Sequence, residues 1–271
     1  MKTLSNLLVA AALFAGSSAV LAADKAPPQL PADAPTVVLV HGAFIDESSW
    51  NKLIPELGKR GIKAIAVANP LTSLQDDVDA TRRVINAQTG PVVLVGHSWG
   101  GTVITEAGAN SKVKALVYVA GYAPSAGASS RDDLKALPAS PGFEDTEAVT
   151  GPDGYVTLPR QTILADFAQD VPPKEAVQIA ASQRPLRVAN YDENIGMPAW
   201  KSKPSWYIVA ETDRMFDPDA QRALASKIQA RTVSLLSGHV PMLSRPDDVA
   251  KVIEDAVRSV DSNSVATISQ R

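Results

Sequence analysis

Cysteine is absent from this chain of 271 residues. That excludes a thiolate nucleophile, thiolate-held zinc, iron–sulfur clusters and disulfides. A chain of this length can build its core without crosslinks. Histidine is scarce: His41, His97 and His239 stand in three separate segments. A zinc site built from clustered histidines is therefore not expected, and the acidic run 213–219 lacks the spacing of a calcium loop. There is no basic run or stripe, and the formal net charge is −3. Nucleic acid is not an expected partner. Long apolar runs are missing too, since spanning a bilayer takes roughly 20 apolar residues in a row.

The chain opens with a positive residue, Lys2, and a short apolar stretch, Leu7 to Phe14. "AVLAADK" then offers a small-residue cleavage site after Ala22. This is the pattern of a signal peptide over 1–22, which predicts a periplasmic or secreted protein with no membrane anchor after cleavage. Residues 23–35, "ADKAPPQLPADAP", read as an extended Pro/Ala-rich leader. Residues 261–271 read as a polar tail. One domain, 36–260, lies between them.

Within that domain, apolar runs alternate with helical spacing. "TVVLV" (36–40), "KAIAVANP" (63–70), "PVVLV" (91–95), "VKALVYVAGYAP" (113–124), "SWYIVA" (205–210) and "TVSLLSGH" (232–239) read as strands. Between them Trp50, Leu53, Ile54 and Leu57, then Leu74, Val78, Thr81 and Ile85, follow helical periodicity, with Ser73 as a cap. Helices are also expected from Trp99, over 218–229, and along the stripe Val249 to Val260. This succession predicts an α/β fold: a mostly parallel, doubly wound sheet covered by helices on both faces. The alternation breaks at about 125–204, a polar, proline-containing insert with helical spacing near Glu175 to Ser182. Such an insert reads as a mainly helical cap over a site.

In "VVLVGHSWGG" a buried-type strand runs into Gly96-His97-Ser98-Trp99-Gly100. Glycine on both sides permits a very tight turn from strand to helix. The turn exposes Ser98 above the sheet, where the next helix aims backbone N–H groups. A serine hydroxyl needs a base to act as a nucleophile. His97 sits inside the turn and His41 ends the first strand, where it orients a loop. His239, just after the last strand, is left as the base. The imidazole in turn needs an acid. "VAETDRMFDPD" (209–219) offers Glu211, Asp213, Asp217 and Asp219. Asp217 precedes Pro218 and suits a helix cap, and Glu211 is too near the strand end, so Asp213 is the expected acid.

The segments "VVLVHGAF", "VVLVGHSWGG", "YVAGYAP", "PSWYIVAETDR" and "SGHVPMLSRPDDVA" resemble the α/β-hydrolase fold superfamily over about residues 36–260. Within it, the chain resembles small bacterial hydrolases related to plant salicylate methylesterases and hydroxynitrile lyases. The order Ser98, Asp213, His239 is the order of that fold. The loop "HGAF" after the first strand is where the fold donates an oxyanion-binding N–H. Ala43, with Phe44 as the alternative, and Trp99 are the expected donors. The resemblance implies a cofactor-free serine hydrolase acting on small carboxylic esters. Val240 departs from the lysine that follows the histidine in the lyases, which argues against cyanohydrin chemistry. A serine at position 98 excludes the aspartate-nucleophile chemistry of epoxide hydrolases and haloalkane dehalogenases. Phe44, Tyr122, Trp200 and Met242 are candidates to line the pocket, or equally core residues. Perhydrolysis, C–C or amide cleavage, or a slow-turnover ligand sensor on the same triad remain alternative uses.

Overall fold

The structure is a computed structural model that describes residues 34–135, 137–138 and 148–268. The expected signal peptide and nearly all of the leader lie outside the described residues. The chain enters through β1 (Thr36–Val40), a strand buried along its whole length. A helix, Leu53–Lys59, leads to β2 (Lys63–Val67). The next helix, Leu74–Asn86, begins as its sequence predicts, with the Ser73 hydroxyl accepting the Asp76 N–H at 2.9 Å. Then come β3 (Val92–His97), the helix Trp99–Ala107 and β4 (Val113–Val119).

The expected strand over 113–124 stops at Val119. Ala120 takes a positive φ of 43°, and the Tyr122 N–H turns to donate to the Ser98 carbonyl at 3.1 Å. The backbone there braces the serine turn instead of extending the ladder.

The cap follows. The helix Ser130–Leu134 is closed by a reciprocal cap between Ser129 and Asp132. Three short strands, β5 (Val149–Thr150), β6 (Tyr155–Thr157) and β7 (Leu186–Arg187), form a small antiparallel sheet. A helical turn at Arg160–Thr162 widens into a π turn over Ile163–Phe167, and a helix runs over Pro173–Ala181. Helical residues outnumber strand residues, as expected. The small sheet was not expected, because strands of two or three residues are too short to show alternation.

Two further strands complete the core, β8 (Ser205–Ala210) and β9 (Arg231–Leu235). The helix between them, Pro218–Lys227, is capped by Asp217, which accepts the Asp219 and Ala220 N–H groups. The last helix runs over Pro246–Ile268, past the expected start of the polar tail at 261. Nothing from 261 to 268 is glycine or proline, so no residue breaks it.

The central sheet has six parallel strands in the order β2-β1-β3-β4-β8-β9. Strands β1, β3 and β8 are buried throughout and nearly all apolar, as parallel strands covered on both faces must be. From β1 the chain moves to one side for β2 and then to the other for β3. The loops after β1 and β3 therefore diverge at the carboxyl edge and leave a crevice, the place where open α/β sheets bind ligands. Those loops carry His41-Gly42-Ala43-Phe44 and Ser98. Among the described residues no helix is long and apolar enough to cross a membrane.

Candidate active site

Ser98 is the hinge between β3 and the helix Trp99–Ala107, at φ 50° and ψ −120°. This conformation is strained for a residue with a Cβ, and such strain concentrates at functional sites. The flanking glycines are sterically required. A Cβ on Gly96 would lie 2.4 Å from the Gly100 carbonyl oxygen, and one on Gly100 would lie 2.4 Å from that of Val40. Both clashes are with backbone that cannot swing away. The elbow thus packs against β1 and brings its loop beside Ser98.

Asp213 follows β8 and His239 follows β9. His239 Nδ1 lies 2.7 Å from Asp213 Oδ2, and His239 Nε2 lies 3.0 Å from Ser98 Oγ. A carboxylate only accepts, so Nδ1 carries the proton and Nε2 presents its lone pair to the Ser98 hydroxyl. All three residues are buried. The structure thus brings together the three residues selected from the sequence. The competing carboxylates face elsewhere: Glu211 and Asp219 pair with Arg222, and Asp217 caps its helix.

Asp213 is held by more than the histidine. Its Oδ1 accepts the Met215 and Phe216 N–H groups at 2.8 and 2.9 Å. Its Oδ2 also accepts Gln221 Nε2 at 2.8 Å. Gln221 is fully buried and spends its remaining groups locally, donating to the Phe216 carbonyl and accepting the Ala210 N–H. The sequence held one signal for it, a glutamine among Ala220, Leu224 and Ala225 on the inward face of a capped helix.

His97 donates from Nε2 to the His239 carbonyl at 2.7 Å. Burial, then the nearby His239, pushes its pKa well below the usual value, so it stays neutral and does not act as a rival base. His41 accepts the Asn69 N–H on Nε2 and donates from Nδ1 to the Gly42 carbonyl. It orients the loop, as its position predicts.

Among the described residues no protein acceptor takes the backbone N–H of Ala43, Phe44 or Trp99. Trp99 starts a nine-residue helix, so its N–H is one of the unpaired donors at the positive dipole end. The Trp99 ring is anchored by a group not selected from the sequence: its Nε1 donates to Asp77 Oδ2 at 2.7 Å. The other Asp77 oxygen accepts the Leu71 N–H. Burial pushes the Asp77 carboxyl up to about 6.

The four pocket candidates separate. Phe44 lines two cavities, of about 250 and 170 Å³. The larger lies against Lys52 and Glu175; the smaller is walled by Leu134, Val156, Leu158, Val188 and Tyr191. Tyr122 is buried between the rings of Tyr191 and Phe216. Trp200 donates its indole N–H to the Pro124 carbonyl, and Met242 is fully buried in the short helix Pro241–Ser244; neither lines those two cavities. Among the described residues no group of three His, Asp or Glu side chains is placed to hold a metal ion.

A parallel α/β sheet with a serine at a strained strand–helix turn and a histidine–aspartate pair at its carboxyl edge is the architecture of hydrolytic enzymes. The chain belongs to the alpha/beta hydrolase family, whose model matches residues 37–252. It is 27% identical to the probable hydrolase R7 of a Phoma strain, over 82% of this chain and 97% of that one. It is 23% identical to methyl jasmonate esterase 1 of Vitis vinifera, over 82% and 96%. Its fold matches that of the pyrethroid hydrolase PytH with a TM-score of 0.72, at 20% identity, over 84% of this chain and all of that one. The relationship to methylesterase-type hydrolases expected from the motifs is therefore supported, and the protein is an α/β-hydrolase enzyme.

Proposed function

We propose that this hydrolase cleaves small carboxylic esters through an acyl-enzyme on Ser98. The observation that carries the reading is the unbroken hydrogen-bond chain Ser98 Oγ, His239, Asp213. As Ser98 Oγ bonds to the ester carbonyl carbon, His239 Nε2 takes the hydroxyl proton. Asp213 keeps the ring in the required tautomer and stabilises the imidazolium. The developing oxyanion is met by the N–H of Trp99 and that of Ala43, or of Phe44 in its place, each donor worth about 3–4 kcal/mol. Collapse breaks the bond to the alkoxy group, which leaves as the alcohol with the His239 proton. Water, deprotonated by the same nitrogen, then releases the acid and restores Ser98. The scheme draws on no cofactor. The name of the Vitis relative supports the ester reading.

Export, to the periplasm or the medium, is part of the proposal and rests on residues 1–22. The test is release of p-nitrophenol from esters of increasing acyl length, with phenyl acetate and methyl salicylate. The mature chain and Ser98→Ala are compared side by side. Turnover that vanishes in Ser98→Ala is expected. No turnover above the variant on any ester would refute the ester reading and favour amide or C–C cleavage.

A further inference from the structure

Asp213 and His239 stand on separate loops, and the loop of His239 follows β9, an exposed edge strand paired on one side only. Such a loop needs support from outside the sheet. One support is mutual, the Thr212 N–H donating to the Ser237 carbonyl at 3.0 Å. The core adds His97, which donates to the His239 carbonyl, and Arg245, which donates to that of Leu236; a further set comes from the cap, from five consecutive residues of it. Gln169 Nε2 donates to the carbonyl of Thr212, the residue before the acid, at 2.8 Å. Asp166 pairs with Arg214, the residue after the acid, at 2.6 Å. Asp170 Oδ2 accepts the N–H of Gly238, the residue before the base, at 2.6 Å. Phe167, itself buried, sets its ring 5.1 Å from that of His239 and 6.4 Å from that of Phe44.

We propose that Asp166–Asp170 is a strap by which the cap positions the acid and base loops, so that the cap sets triad geometry as well as pocket shape. The proposal rests on the hydrolytic reading above. The segment is built for this: the π turn Ile163–Phe167, closed by the Ala168 N–H on the Ile163 carbonyl at 2.8 Å, swings Phe167 onto His239 and leaves Gln169 and Asp170 to reach the loops. The glycine before the base carries the imprint of the strap. A Cβ on Gly238 would lie 2.7 Å from Asp170 Oδ1 and from both Gln169 side-chain end atoms. Its φ is not positive, so an alanine there adds no backbone strain and acts by pushing the strap away. Gln169 and Asp170 are positioning residues: they act through the loops of Asp213 and His239.

The test compares Gln169→Ala/Asp170→Ala, Gly238→Ala, the triple variant and Val177→Ala, a half-exposed residue of the next cap helix that lies outside the strap. Steady-state kinetics are read on p-nitrophenyl acetate, with the downfield proton NMR resonance of His239 Nδ1–H as a second readout. A displacement of about 1 Å at a catalytic group costs on the order of a hundredfold. The double variant and Gly238→Ala should each lose ten- to a hundredfold in kcat, about, with KM nearly unchanged and the resonance broadened by exchange. The triple variant should lose no more than the double, because both changes release the same contact. Val177→Ala should match the wild type. A kcat retained within about twofold with a sharp resonance, a loss in KM alone, or losses that multiply in the triple variant would overturn the strap. Should the double variant fail to fold, Gly238→Ala and Gln169→Ala alone read the same split. If the wild type shows no Ser98-dependent turnover, the ester reading falls, while the resonance still decides for or against the strap.

Discussion

Replacing Gln221 with methionine keeps its approximate volume and removes every hydrogen bond it makes. Three partners are affected. Asp213 Oδ2 loses one of its two donors, and the Phe216 carbonyl and Ala210 N–H are left unpaired. A bond to a charged acceptor contributes about 1.5–3 kcal/mol, and each neutral buried group left unpaired costs about 1–3. Burying a thioether in place of an amide returns part of this, about 1–2 kcal/mol. The expected net loss is about 2–8 kcal/mol, read as the shift in the urea unfolding midpoint at constant slope. Catalysis on the proposed scheme should fall as well, because Asp213 bonds His239 Nδ1 and so holds the ring that faces Ser98. Gln221→Glu separates the two effects. An ionised glutamate would face the Asp213 carboxylate, so its activity should recover as the pH is lowered and one proton is shared. A methionine variant within about 1 kcal/mol of the wild type, with kcat within twofold, would refute the reasoning. The backbone amides of Met215 and Phe216 would then be sufficient to hold Asp213.

Ser98→Gly and Ser98→Ala both remove the hydroxyl, but only glycine is at ease at φ 50°. The glycine variant should be the more stable of the two by about 1 kcal/mol in chemical denaturation, and equal stability would argue against strain at the turn. Asp77, pushed up to about 6 by burial, binds its proton more tightly folded than unfolded. A raised pKa adds stability that is complete below the ordinary value of 3.8 and lost as pH rises through about 6. Relative to Asp77→Asn, the wild type should lose up to about 3 kcal/mol of unfolding free energy between pH 4 and 7, at about 1.4 kcal/mol per unit. A pH-independent difference between the two would sink this account.

Much of the site was legible in the residues because it rests on local rules. Gly96 and Gly100 bracket Ser98 for a steric reason that holds in any such turn, and three histidines leave few choices of base. The acid was harder. Glu211, Asp213, Asp217 and Asp219 are chemically alike in sequence, and the separation into one partner of His239, one cap and two partners of Arg222 is a matter of where each side chain points.

By itself the sequence determined the strand–helix alternation, the tight serine elbow, the capped helices and the order of the candidate site residues, because each is encoded by neighbours within a few residues. Only the tertiary structure decided the rest. Gln221 behind Asp213, Asp77 behind Trp99, His97 beneath the His239 carbonyl and the strap from Asp166 to Asp170 all act across long sequence separations. No periodicity records such contacts. They exist because packing two faces of a parallel sheet and seating a cap on its carboxyl edge leaves buried polar groups that must find partners, and those partners lie wherever the fold brings them.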